Sequence, residues 1–451
     1  MRRSWDRVAM SSFAVAALLA NAGCAAEEPS PPRASSAESS VQPAEPAQPE
    51  AAPRNVILLI GDGMGPQQLA LLLDWADAAG ASPTHFERLT DVGHLGLVRT
   101  GAKGSALTDS AASATAIACG VEVPNGVISV DENGRALRTC MEDADASGRM
   151  TGLVTTTRLT HATPASFAAH VQKRNQEKEI AQQMLSTPFV DVMLGGGAAF
   201  IDVANAPEGY RAVTTAAELE ALDAAGGPVL GVFSKSHIPY AIDRDQPTEP
   251  STVPTLAAMT QKAIDVLATG PDGFFLMVEG GRIDHGGHLN DVAAVLGEMR
   301  EFDAAIGVAE AFRREHPDTL VIVTADHETG GLAISFSGRP LLPQHFLAMT
   351  EQESSIEAIA QRTPKNSREA VDPTIYGVGR KPFYPAYSWW ETSRALETSA
   401  TYSVSFGTQS HTTTPVAIVA AGPRSEQFEG LMHNEKIGLL LREWMGPEEA
   451  R

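Results

Sequence analysis

Seven short, predominantly apolar runs punctuate the chain: Asn55–Ile60, Thr151–Thr155, Val190–Leu194, Val229–Val232, Phe274–Val278, Leu320–Thr324 and Val416–Ala420. Runs of this length without alternation predict strands buried on both faces. Between several of them the apolar positions recur at helical spacing, notably near Gln67–Ala78 and over Thr255–Ala268 and Asp291–Arg314. The first run passes into Gly61-Asp62-Gly63-Met64-Gly65-Pro66 and then into the first helical stretch. A strand, a tight glycine turn and a helix open an α/β fold. The alternation predicts one large, mostly parallel central sheet with helices on both faces.

Thr108–Gly120, TDSAASATAIACG, predicts a helix of small residues. Thr108, Asp109 and Ser110 are residue types that favour a helix N-terminus, which places Ser110 in the first turn. There, free N–H groups and the helix dipole favour negative charge. Taken alone, the stretch reads better as an ordinary capped, buried Ala/Ser helix. Other segments change that.

Polar groups collect where the predicted strands stop. Asp62 follows the first strand and Glu279 the run Phe274–Val278, and ligand sites of open α/β sheets lie at strand carboxyl ends. Asp284 and His288 are four apart in Gly280-Gly281-Arg282-Ile283-Asp284-His285-Gly286-Gly287-His288, so one helical turn puts both on one face. Asp326 and His327 follow Leu320–Thr324, His161 and Thr163 follow Thr151–Thr155, and His411 precedes Val416–Ala420. Pro164 suits the first position of a helix, beyond which lies Arg174. Carboxylates gathered at one sheet edge repel one another without cations. Mixed nitrogen and oxygen ligands suit Zn²⁺, and an all-oxygen set with water suits Mg²⁺. A dinucleotide reading of the glycines fails, because Pro66 stands where the third glycine of G-x-G-x-x-G belongs.

Composition narrows the class. The 451 residues are 43% hydrophobic and 20% charged, as in ordinary globular proteins, with a formal charge of −21. No basic patch of the kind that binds nucleic acid is present, and a phosphate site must bring its own local positive charge. Arg2, Arg3 and Arg7 precede the apolar run Phe13–Ala20 and then Asn21-Ala22-Gly23-Cys24. Residues 1–24 therefore read as a targeting segment of lipoprotein type, with Cys24 as the lipid anchor. Asn21 departs from the usual pattern, which leaves ordinary signal-peptidase cleavage open. The expected locations are the periplasm or the outer membrane. Residues 25–54 read as an Ala/Pro/Ser/Glu spacer, followed by one catalytic domain over 55–446. Within it, 338–405 is an insertion without legible pattern, expected to cover one side of the site. An exported protein allows one disulfide between Cys119 and Cys140, but Cys119 sits on an apolar helical pattern, so free thiols are the expectation.

In order, GDGMG at Gly61, TDSAASATA at Thr108, HATPA at His161, VEGGRIDHGGH at Val278, TADHETGG at Thr324 and SHT at Ser410 resemble the alkaline phosphatase family. Six ordered motifs span nearly the whole folded part. The resemblance implies two Zn²⁺ and one Mg²⁺. Asp284, His288 and His411 would hold the first zinc. Asp62, Asp326 and His327 would hold the second beside Ser110, and Asp62, Thr163 and Glu279 the magnesium. His161 and His285 would stand behind these ligands, and Arg174 would clamp phosphate. The insertion falls where the family carries a variable crown region, and members are often homodimers. The implied reaction is phosphomonoester hydrolysis through a phosphoserine on Ser110, acting on small phosphorylated substrates. A relative favouring diesters or sulfate esters is disfavoured by Ser110 in DSAAS. A binder of metal or phosphate is disfavoured because it has no need of that serine.

Overall fold

A computed structural model describes residues 51–186, 189–244, 251–334 and 404–447. The targeting segment, residues 25–50 of the spacer and residues 338–403 of the insertion lie outside the described residues.

The strands are β1 (Asn55–Ile60), β2 (His94–Arg99), β3 (Met150–Arg158), β4 (Val192–Gly196), β5 (Arg211–Val213), β6 (Val229–Val232), β7 (Phe274–Glu279), β8 (Thr319–Thr324), β9 (Glu328–Thr329), β10 (Leu332–Ile334), β11 (Val404–Phe406), β12 (His411–Thr412), β13 (Val416–Ala421) and β14 (Gly430–His433). Ten of them form one sheet in the order β14-β2-β13-β8-β1-β7-β3-β4-β6-β5. β1 pairs in parallel with β7 on one side and β8 on the other, and β3 continues the parallel set beyond β7. Every residue of β1, β7 and β8 is buried, as expected for strands covered on both faces. All seven apolar runs overlap strands of this sheet, in agreement with the mostly parallel α/β architecture read from the sequence.

β13 alone runs against the rest, antiparallel to both β8 and β2. This reversal has a functional consequence. The residues that precede an antiparallel strand lie at the same edge as the residues that follow its parallel neighbours. His411, just before β13, is thereby delivered to the carboxyl edge of β1, β7 and β8. It sits in β12, which pairs with β9 so that His411 faces Thr329.

The helices follow their local chemistry. The first begins with Pro66 and ends at Ala79, where Gly80 caps it in the left-handed region. The helix Ser110–Cys119 starts at Ser110, capped by Asp109, whose carboxylate accepts from the Ala112 N–H. All ten of its residues are buried, as its run of small side chains permits. It packs on the helix Asn434–Met445 so closely that a Cβ on Gly438 would lie 2.4 Å from the Gly120 nitrogen. The helix after β3 begins at Ala162, so Pro164 is its third residue rather than its first. The site still tolerates proline, because first-turn N–H groups have no intrahelical acceptor.

The last residues of the expected insertion are described. Val404 and Ser405 belong to β11, which pairs antiparallel with β10 and sets Ile334 opposite Val404. Val404 and Phe406 are buried, which fixes that strand. Cys119 and Cys140 are both free and buried. Burial pushes the Cys119 thiol up to about 12. No helix among the described residues is long and apolar enough to cross a membrane.

Candidate active site

The carboxyl edge of β1, β7 and β8 carries Asp62, Glu279 and Asp326, each fully buried. The turn after β1 is possible because Gly63 adopts φ +76°, and a Cβ there would lie 2.7 Å from the Asp284 Cα. That close approach brings Asp62 and Asp284 together.

One group forms around Ser110. Its Oγ lies 3.3 Å from His327 Nε2. The same nitrogen is 3.2 Å from Asp326 Oδ2 and 3.6 Å from Asp62 Oδ1. Thr329 Oγ1 donates to Asp284 Oδ1 at 2.6 Å and stands 3.2 Å from His327 Nδ1. The hydroxyl proton is thus committed to Asp284, so it is His327 Nδ1 that donates to Oγ1, which leaves Nε2 as a bare lone pair facing two carboxylates. Asp326 Oδ1 accepts from the backbone N–H groups of Gly63 and His327. Among the described residues, Asp326 Oδ2 and both oxygens of Asp62 are buried without hydrogen-bond partners.

A second group joins Asp284, His288 and His411. His288 and Asp284 share the helix Arg282–Leu289, as their spacing predicts, with Nε2 3.3 Å from Oδ1. His411 Nε2 lies 3.7 Å from the same oxygen. His288 Nδ1 donates to the Gln409 carbonyl and His411 Nδ1 to the Thr108 carbonyl, each at 2.7 Å. Both Nε2 atoms are therefore acceptors, and they face each other at 3.2 Å. Two facing lone pairs beside a carboxylate fit a shared cation.

A third group joins Asp62, Glu279 and His161, whose ligand atoms all lie within 4.8 Å of one another. Glu279 Oε1 and Thr163 Oγ1 are buried side by side with no other hydrogen-bond partner among the described residues. Glu279 Oε2 accepts from the hydroxyls of Thr155 and Thr157. The sequence expectation sets His161 behind the ligands; its Nε2 accepts from Arg174 Nη2 at 3.2 Å.

Charge at this edge is strained accordingly. Burial, then Asp326, Asp284 and Glu279, raise Asp62 well above the usual carboxylate range. Burial and Asp284 push Asp326 up to about 8. Burial raises Glu279, against the threonine hydroxyls that lower it. Burial, and then the neighbouring His411 and His288, hold His327 well below 6.5. Buried carboxylates with orphaned oxygens and imidazoles with bare nitrogens form a donor set suited to divalent cations.

Arg174 approaches from the loop beyond the helix Ala162–Ala168. Its Nη1 pairs with Asp109 Oδ2 at 3.0 Å and its Nη2 donates to His161 Nε2 at 3.2 Å. Asp109 thus both caps the Ser110 helix and carries the arginine to its N-terminus.

The alkaline phosphatase family profile matches residues 53–445. The chain belongs to the alkaline phosphatase family. It is 32% identical to alkaline phosphatase 4 of Bacillus subtilis over 412 residues, covering 84% of this chain and 86% of that one. The structure is similar to that of Thermus thermophilus alkaline phosphatase, with a TM-score of 0.76, 31% identity, and 88% and 92% of the two chains covered. A variant of TAB5 alkaline phosphatase has Mg bound in its M3 site; at 28% identity and a TM-score of 0.64, it covers 88% of this chain and 99% of its own. The protein is a metal-binding phosphatase acting on phosphate monoesters.

Several site residues carry no signal of their own in the sequence. Thr155 and Thr157 lie inside a strand, and their exposure to Glu279 depends on the register of β3 against β7, which sets Thr155 opposite Glu279. Asp109 reads only as a cap, although its place beside Ser110 is a clue. His237, whose ring lies 4.4 Å from that of His285, sits in a loop without a motif.

Proposed function

We propose that this enzyme cleaves phosphate monoesters through a phosphoserine on Ser110, with two Zn²⁺ and one Mg²⁺ in the three groups above. Asp284, His288 and His411 would hold one zinc, and Asp62, Asp326 and His327 the other. Asp62, Thr163 and Glu279 would hold the magnesium. The observation that carries this reading is the donor set around Ser110, where the bare nitrogen of His327 and three partnerless oxygens of Asp62 and Asp326 converge. Bound there, the ions supply Lewis-acid stabilisation to the attacking and leaving oxygens.

The chain's own residues do the rest. Ser110 Oγ, at a helix N-terminus, gives up its proton to solvent water and attacks phosphorus in line; the bond to the ester oxygen breaks and the alcohol leaves with a proton from water. Arg174 binds equatorial phosphoryl oxygens with paired N–H groups, oriented by Asp109. Water then attacks phosphorus, Oγ departs, and inorganic phosphate is released. His161 and His285 stand behind the ligands. The targeting segment supports export of the enzyme.

The test is hydrolysis of p-nitrophenyl phosphate before and after EDTA, with Zn²⁺ and Mg²⁺ returned singly and together. Alkaline activity lost on chelation and restored only by both metals is the expected result. Failure to cleave the monoester with metals bound would overturn the reading. Arg174→Ala is expected to raise KM and the inhibition constant for inorganic phosphate by about 10- to 100-fold, the scale of a lost bidentate, charge-assisted contact. Steady-state kinetics with phosphate as competitor measures it.

A further inference from the structure

His237 belongs to no motif, and the reaction above leaves it unused. It lies in the turn after β6, and it completes a triangle of imidazoles with His161 and His285. Ring centroids are 4.4 Å apart for His237 and His285, 5.5 Å for His237 and His161, and 5.6 Å for His161 and His285, all edge to face.

Two arginines fix the orientation of this triangle. Arg158 Nη1 donates to His237 Nε2 at 2.5 Å, as Arg174 Nη2 does to His161 Nε2 at 3.2 Å. In both rings Nε2 accepts, so Nδ1 carries the proton, and in both Nδ1 is buried without a hydrogen-bond partner. The two arginine–imidazole pairs are thus joined through the contact of their rings. Arg158 also grips Glu177 with two N–H groups, at 2.7 and 2.9 Å, and Glu177 accepts from Thr160 Oγ1 at 2.6 Å. Glu177 opens the helix Glu177–Ser186, three residues beyond Arg174. The contacts close a circuit from Arg174 through His161, His237, Arg158 and Glu177 back to the Arg174 loop.

Within that circuit, His237 is held from outside the Arg174 loop. The Ile238 N–H donates to the Thr156 carbonyl in β3 at 2.9 Å. Ser234 Oγ lies 2.8 Å from both the Ser236 and His237 carbonyls. The turn is therefore tied to the sheet, and His237 transmits that anchorage to both arginines. A guanidinium held in place before its ligand arrives loses less side-chain entropy on binding.

We infer that His237 is a positioning residue, which holds Arg158 and His161, and through them Arg174, in the orientation that receives phosphate. The inference rests on the reading that Arg174 binds phosphate. Its test is calorimetric titration of the zinc- and magnesium-loaded protein with inorganic phosphate, for the wild type and for His237→Ala, His237→Phe, His237→Gln and Arg174→Ala, with bound metal and Tm measured for each. Loss of the acceptor in His237→Ala and His237→Phe is expected to weaken phosphate binding about tenfold at unchanged metal content, the scale of an outer-shell substitution. His237→Gln, which keeps an acceptor for Arg158, is expected to retain most of the affinity even if its Tm falls as far as that of His237→Ala. Wild-type affinity in His237→Ala or His237→Phe, a glutamine variant as weak as the alanine one, or a loss that follows lost metal would each overturn the inference. Wild-type affinity in Arg174→Ala would instead overturn the reading of Arg174 itself.

Discussion

Ser110→Ala is expected to abolish turnover, by roughly 10³-fold or more in kcat, while leaving fold and metal content intact. Alanine is the strongest helix former and the position is buried at the start of an alanine-rich helix. The cap is carried by Asp109, whose contacts to Ala112, Gly126 and Arg174 do not involve the serine. Among the described residues, the one hydrogen-bonding contact of Ser110 Oγ is His327 Nε2. Nothing structural is therefore lost, and phosphate affinity should persist because Arg174 and the helix N-terminus remain. Three measurements together separate nucleophile from scaffold: kcat on p-nitrophenyl phosphate, zinc content, and labelling by ³²P-phosphate in acid-quenched protein. The wild type should retain label on Ser110 and the variant none. A variant that is still labelled, or that keeps near-wild-type kcat, would move the nucleophile elsewhere and with it the phosphoserine route.

The parts of this site that the sequence displayed are those in which chemistry interrupts a hydrophobic pattern. Asp62, Glu279 and Asp326 each end an apolar run, and buried parallel strands leave few other reasons for a carboxylate there. The helical spacing of Asp284 and His288 also survived into three dimensions. What stayed hidden is set by topology. β2 and β14 are short and contain glycine, and β2 alternates buried and exposed residues, so neither produces a continuous apolar run. The reversal of β13, which brings His411 to the same edge as Asp62, follows from strand order and has no local signature. The supports around the ligands are hidden for a related reason. Thr329 links His327 to Asp284 and His237 links two arginines, yet each is an ordinary polar residue until distant segments meet it.

Removing the metals is expected to steepen the loss of stability at mild alkalinity. In the metal-free protein, Asp62, Glu279 and Asp326 sit above their unfolded values, with Asp326 raised to about 8. A carboxyl held up in the folded state keeps its proton where the unfolded chain has lost it. Its contribution is complete below about pH 4 and drains away as pH rises towards the folded value. The buried imidazoles act in the opposite sense. His161, His285 and His327 are held well below 6.5 and His237 at about 3. For them the unfolded chain binds more protons, so stability grows with pH until about 6.5 and then stops changing. The two effects oppose each other below that point. Above it the raised carboxyls of the site still titrate, as do Glu298, pushed up to about 8 by burial and Glu301, and His170, raised by Glu142 against burial, and the metal-free fold loses stability, on the order of a few kcal/mol, towards pH 8. With divalent cations bound, Asp62, Glu279 and Asp326 are ionised and paired, and their share of this loss disappears, while that of Glu298 and His170 remains. Thermal unfolding of chelated and reloaded protein from about pH 5 to about pH 9 measures the difference. Tm of the chelated form should fall more steeply beyond neutrality than that of the reloaded form. Parallel curves would mean that these carboxylates do not carry the cations, and Asp326→Asn, which cannot ionise, should flatten the decline if they do.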